Sequence, residues 1–193
     1  EDVGNSAPGD DIINSLVWTN PINLCEETDD VVDYNVYYAP PNEMNNFQLI
    51  HTSDDAADTT LMHNSEFGIA GCYAVTAIDS FENESAFSNV ICVDNCPIYT
   101  LPNAFTPNGD GTNELFVPYP YRFVDRVEFN IFNVWGNLVY STSNPNLGWD
   151  GKNLKGKDVA QGVYYYTCRV FENRVTGITE NPEILNGFIE LLR

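Results

Sequence analysis

The sequence predicts an all-β protein built as two consecutive β-sandwich domains, and three observations carry that prediction. Apolar residues alternate at period two in Val32, Tyr34, Val36 and Tyr38, and again in Val127, Phe129 and Ile131. No stretch keeps helical spacing over ten residues. Clusters of Gly, Pro, Asn and Asp punctuate the runs, from Pro40-Pro41-Asn42 to Asn108-Gly-Asp-Gly111.

Charge divides the chain into two unlike halves. Residues 1–96 carry eighteen acidic side chains and no Lys or Arg, whereas the remainder carries ten acidic against eight basic, for a net charge of −20. With the sequence Asp94-Asn-Cys-Pro97, this break sets the expected boundary, giving domains at 1–96 and 97–193. A surface so negative repels nucleic-acid phosphates and anionic lipid, so no nucleic-acid partner is expected. No run of eighteen apolar residues exists, which argues against a spanning helix. The start at Glu1 shows no initiator Met, basic region or apolar leader, and reads as part of something longer, with a passenger upstream. A monomer is expected.

In the first half, Ser15 to Trp18 is a strand with its Trp inward, and the Val32 to Tyr38 run ends at Pro40-Pro41. Phe47 to His51 and Thr59 to His63 follow, and Tyr73, Val75 and Ala77 share one face of the next strand. If Gly71 to Ile78 and Ala86 to Val93 form a hairpin around Phe81, Glu82 and Asn83, then Cys72 and Cys92 fall opposite each other. A disulfide is expected there. The other cysteines are Cys25, Cys96 and Cys168; a Cys96–Cys168 tie between the domains is a weaker expectation, and five cysteines leave at least one thiol free or paired with another chain. Zinc is disfavoured, because His51 and His63 lie twelve apart without cysteines at ligand spacing.

In the second half, Ile98 to Phe105 leads to consecutive tight turns over Thr106 to Asn113. Leu115 to Val117 and Val127 to Asn133 are expected strands, and Val134-Trp-Gly-Asn137 turns the chain into Leu138 to Ser141. Gly148 to Lys152 is another turn, Val163 to Phe171 a long aromatic strand and Ile184 to Leu192 the last strand. That last strand places Ile184, Leu185, Phe188, Ile189, Leu191 and Leu192 on both faces.

Five blocks recur in order: Pro102 to Asn113, Ile131 to Gly136, Gly148 to Gly151, Gly162 to Tyr166 and Gly187 to Arg193. The set closely resembles the gliding motility-associated C-terminal domain of Bacteroidetes, the type B sorting domain of the type IX secretion system. The resemblance covers 97–193 and departs at Val134, where the family usually shows an Arg before Trp-Gly, and at Asn113-Glu114, where Asn-Asp is common. It implies an Ig-like sandwich that sends an upstream passenger through the periplasm to the cell surface or medium. The implied partners are the type IX translocon and its outer-membrane partner barrel proteins. The first half, with its early Trp and its Tyr73-x-Val-x-Ala77, resembles a fibronectin type III-like domain, which implies a spacer before the sorting domain.

Candidate sites are few. The last block, Gly187, Phe188, Ile189, Leu191 and Leu192, is the expected partner-recognition segment, since a partner strand can add to an exposed edge. A calcium reading of the loop at 108–114 assigns Asn108, Asp110 and Glu114 as ligands. Thr106 and Val117, however, stand where the first and closing carboxylates belong, so the structural-turn reading outweighs it and no cofactor is expected. Catalysis is not expected, since the two His both lie in the first half and no nucleophile–base pattern is visible. The other functional reading is an extracellular adhesion or glycan- or protein-binding module, with Trp135, Trp149 and Tyr164 to Tyr166 as stacking rings. Core packing is the expected role of those rings.

Overall fold

The computed structural model describes residues 13–20 and 30–193, so Cys25 lies outside the described residues. All regular structure among them is β, and the chain divides into two compact units. One holds the described residues of Asp11–Asn95 together with Arg174–Gly177; the other holds Cys96–Asn173 and Ile178–Arg193.

Among its described residues the first unit has six strands: β1 (Asn14–Val17), β2 (Val31–Ala39), β3 (Gln48–Thr52), β4 (Thr60–His63), β5 (Gly71–Asp79) and β6 (Ile91–Val93). They form a β1–β4 ribbon and an antiparallel sheet of order β3-β2-β5-β6. Aromatic rings join the two layers. Trp18 meets Tyr34 edge-on at 5.8 Å, and His63 meets Tyr38 at 4.9 Å. Tyr34, Val36 and Tyr38 are buried as their period requires, but Val32 is exposed, because a register shift between Val31 and Asp33 turns it out of phase.

Cys72 and Cys92 are paired across β5 and β6 and are disulfide-bonded, with Cα atoms 4.0 Å apart. The expected partner strand from Ala86 is shorter than its sequence suggests, and only Ile91–Val93 is regular. Before it, the Ser85 and Ser88 hydroxyls accept the Ala77 and Val75 N–H groups, taking places that strand carbonyls would fill. Cys96 is exposed and Cys168 is buried, both as free thiols, so the expected tie between them does not form. Burial pushes the Cys168 thiol up to about 12, which makes it inert.

Among its described residues the second unit has eight strands: β7 (Ile98–Tyr99), β8 (Ala104–Phe105), β9 (Tyr121–Arg122), β10 (Val124–Phe132), β11 (Leu138–Thr142), β12 (Gly162–Arg174), β13 (Gly177–Glu180) and β14 (Leu185–Leu191). The main sheet runs β11-β10-β12-β14-β8, with β13 also paired to β12. Every pairing in it between β10, β11, β12 and β14 is antiparallel, while β14 and β8 are parallel. Facing it is a thin layer, the β7–β9 ribbon and the loops that carry Phe116, Leu147 and Trp149. The expected strand at Leu115 to Val117 reduces to one isolated bridge, Phe116 with Trp149. Phe105, Phe116, Val127, Phe129, Ile131, Trp149, Ile189 and Leu191 form the core between the layers.

Candidate functional site

Four of the five sequence blocks converge at one end of the second unit. Trp149 is fully buried, 5.1 Å from the Phe105 ring and 5.4 Å from Tyr164, and its indole N–H donates to the Lys152 carbonyl at 2.8 Å. Burying so large a ring gains apolar contact, and the hydrogen bond removes the cost of hiding its one donor. Gly151 follows at φ +78°, and a Cβ there would lie 3.0 Å from Leu191 and 3.2 Å from Pro107. Only glycine fits both the left-handed backbone and the crowding. The Arg193 guanidinium closes the corner by donating to the Gly151 carbonyl at 3.1 Å and to the Val159 carbonyl. Asp158 stands 3.4 Å from it.

The remaining block, Ile131 to Gly136, makes the β10–β11 turn. Asn133 Oδ1 accepts from the Trp135 and Asn137 backbone N–H groups, and Gly136 takes φ +76°. Val134, where the resemblance leads one to expect Arg, is 62% exposed, so the departure changes the surface and leaves the turn intact.

The 108–114 loop brings Asn108, Asp110 and Glu114 together, and their oxygens are engaged within the loop. Asn108 Oδ1 accepts from Asp110 N–H, Asp110 Oδ1 from Thr112 N–H, and Glu114 Oε1 from Gly111 N–H. The Asn108 amide on Asp110, and then the Thr112 N–H, hold that carboxyl below its ordinary range. Among the described residues no cluster of three or more His, Cys, Asp or Glu is placed to hold a metal.

The last block divides sharply. Ile189 and Leu191 are fully buried, so they serve the core and cannot meet a partner in the folded unit. Gly187 is half-buried against the Tyr166 ring, while Phe188 and Leu192 are 49% and 44% exposed. Phe188 does not stand alone. Cross-strand register places it opposite Tyr165, Tyr165 opposite Phe132, and Phe132 opposite Leu138. An apolar row therefore crosses the outer face of four strands, with Tyr165 and Leu138 also exposed. Beside it runs an uncharged polar row of Ser141, Asn130, Thr167 and Asn186. Phe132, Tyr165 and Leu138 were missed from sequence as surface residues; the alternation of β12, with Tyr164, Tyr166 and Cys168 inward, carried the signal. Of the candidate stacking rings, Trp149 and Tyr164 are core and Tyr166 packs against it, whereas Trp135 and Tyr165 face solvent.

No curated protein matches the chain at a significant level. Among solved structures, the crystal structure of chicken CNTN1 FN1–FN3 domains is similar at 13% identity and a TM-score of 0.34. The match covers 97% of this chain and 65% of that one, so the chain spans less than two thirds of its neighbour's length. Among the described residues no helix is long and apolar enough to cross a membrane. Residues 99–190 match the family model described as CHU_C Type IX secretion signal domain. Over that stretch the chain is similar to the type IX secretion signal domains.

Proposed function

We propose that residues 97–193 form a C-terminal sorting module that routes an upstream passenger across the periplasm and through the type IX translocon to the surface or medium. Residues 1–96 then act as a fibronectin type III-like spacer. The observation that carries this reading is the family match over 99–190, which spans nearly the whole second unit. Recognition by the translocon or its outer-membrane partner barrels falls to the outer face of the main sheet, at Phe188 and Leu192 with Tyr165, Phe132 and Leu138. An exposed apolar row on a sheet is normally blunted by charge, and its retention here suits a surface that is read by a partner.

The test is a periplasmic reporter fused to residues 1–193 and, separately, to 97–193, in a type IX-competent bacterium. Both fusions are expected outside the cell, and both are expected to stay periplasmic in a translocon-deficient strain. Equal export from the two strains overturns the reading. The exposure of Trp135 and Tyr165 favours a second reading, an adhesion or glycan-binding module. It predicts retention of the purified protein on a polysaccharide column and its loss with Tyr165→Ala.

A further inference from the structure

The first unit holds an open cleft of about 550 Å³ whose walls are β1 on one side and β5 with the 85–91 segment on the other. No β4 residue is among its described lining, so the cleft lies along the edge of β1 that β4 leaves free. Among the described residues β1 pairs with β4 alone. The second wall is held to β5: Ser85 and Ser88 accept the Ala77 and Val75 N–H groups on their hydroxyls and donate their own N–H groups to the Ala77 and Val75 carbonyls.

Three further features say what belongs there. An unpaired strand edge presents alternating N–H and C=O groups, which an extended peptide backbone satisfies. The Trp18 indole N–H and the Tyr34 hydroxyl, both from lining residues, are buried with no hydrogen-bond partner among the described residues. Such groups cost free energy until an acceptor reaches them. The described lining also carries no charged side chain, although residues 1–96 hold eighteen acids and no Lys or Arg. The acidic surface stops at the cleft, which disfavours a cationic occupant and favours a neutral one.

We propose that this cleft is a peptide-docking groove, which takes an extended, uncharged segment of a partner protein as an added strand on the edge of β1 that no described residue pairs. Its carbonyls would reach the Trp18 and Tyr34 donors, and its alternate side chains would fill the apolar floor. The groove is independent of the sorting reading, since it lies wholly in the first unit.

The test uses the full chain and a synthetic, end-blocked peptide of alternating valine and threonine, followed by amide NMR shifts. Shifts are expected at Ser15 to Val17 and at Ser88 to Ile91. A peptide N-methylated at alternate residues keeps its apolar side chains but cannot pair with a strand, and is expected to bind at least about tenfold more weakly. Tyr34→Phe removes only the orphan hydroxyl; it is expected to melt at or above the temperature of the parent while binding the peptide several-fold more weakly. Absence of the shifts, or equal binding of the methylated peptide, overturns the proposal. The latter outcome would mark the cleft as a site for small apolar molecules. A Tyr34→Phe variant that melts lower shows that the hydroxyl already has a partner, and overturns it as well.

Discussion

Three turns in this chain use one device, and comparing them isolates the cost of a single residue. In Asn133 to Asn137, in Asn153 to Lys157 and in Asp79 to Asn83, the first side chain's Oδ1 accepts from the backbone N–H groups two and four residues on. In each, the fourth residue's N–H returns to the first carbonyl and that fourth residue is left-handed. Gly136 and Gly156 fill the place in two turns, at φ +76° and +72°, but Glu82 fills it in the third, at +65°. The first two were legible because glycine announces the conformation; Glu82 announced nothing, and only the flanking strands showed that a turn was needed. An L-residue held left-handed costs about 1–2 kcal/mol, partly offset by glycine's larger loss of freedom on folding. Glu82→Gly is therefore expected to stabilise the protein by about 0.5–1 kcal/mol, raising the melting temperature. Gly136→Ala should lower it by a similar amount. A lower melting temperature for Glu82→Gly would show that its side chain makes a contact outweighing the strain.

At the scale of the element, β14 shows how a sequence pattern can mislead about which face is buried. Six apolar residues in nine suggest a strand covered on both sides. The structure resolves the count with Gly187, which occupies an inward position so that Leu185, Gly187, Ile189 and Leu191 form one row and Asn186, Phe188, Glu190 and Leu192 the other. A glycine has no hydropathy to register in a period count, and its place is set by Tyr166, whose hydroxyl would lie 2.8 Å from any Cβ there. β14 is also less of an edge than expected: β12 covers one side over seven residue pairs, while β8 meets the other only at Glu190 and Leu191. Most strands were readable because their alternation is strong, as in β10 and β12, but the Leu115–Val117 run was not, because its single bridge depends on the distant Trp149. The rows make opposite predictions. Phe188→Glu should melt within about 1 kcal/mol of the parent, since half its surface is already wet, whereas Ile189→Glu buries an unpaired charge and should unfold the unit. If Phe188→Glu melts normally in the reporter fusion and is no longer exported, recognition lies on the outer face. Normal export moves it elsewhere.

For the whole molecule, charge is the property most fully legible in the sequence and least visible in any one contact. Eighteen acids without a Lys or Arg in residues 1–96 repel one another in the folded state more than in an extended chain. Salt shortens the reach of that repulsion, from about 30 Å at 0.01 M to about 8 Å at 0.15 M. The melting temperature is therefore expected to rise as sodium chloride increases over that range. Calcium offers a sharper comparison, because a divalent ion could act by screening or by binding the 108–114 loop. Sequence alone left that choice to half a ligand pattern. In the fold, one oxygen each of Asn108, Asp110 and Glu114 already accepts a backbone N–H, and a cation would have to compete with those bonds. Screening depends on ionic strength, whereas a held ion stabilises by mass action, about 2.7 kcal/mol at a hundredfold excess over its dissociation constant. Calcium chloride and sodium chloride at equal ionic strength are thus expected to give melting temperatures within a degree or so. A calcium-specific rise of several degrees that Asp110→Ala removes would make the loop a cation site, and would mean that its turn opens to coordinate.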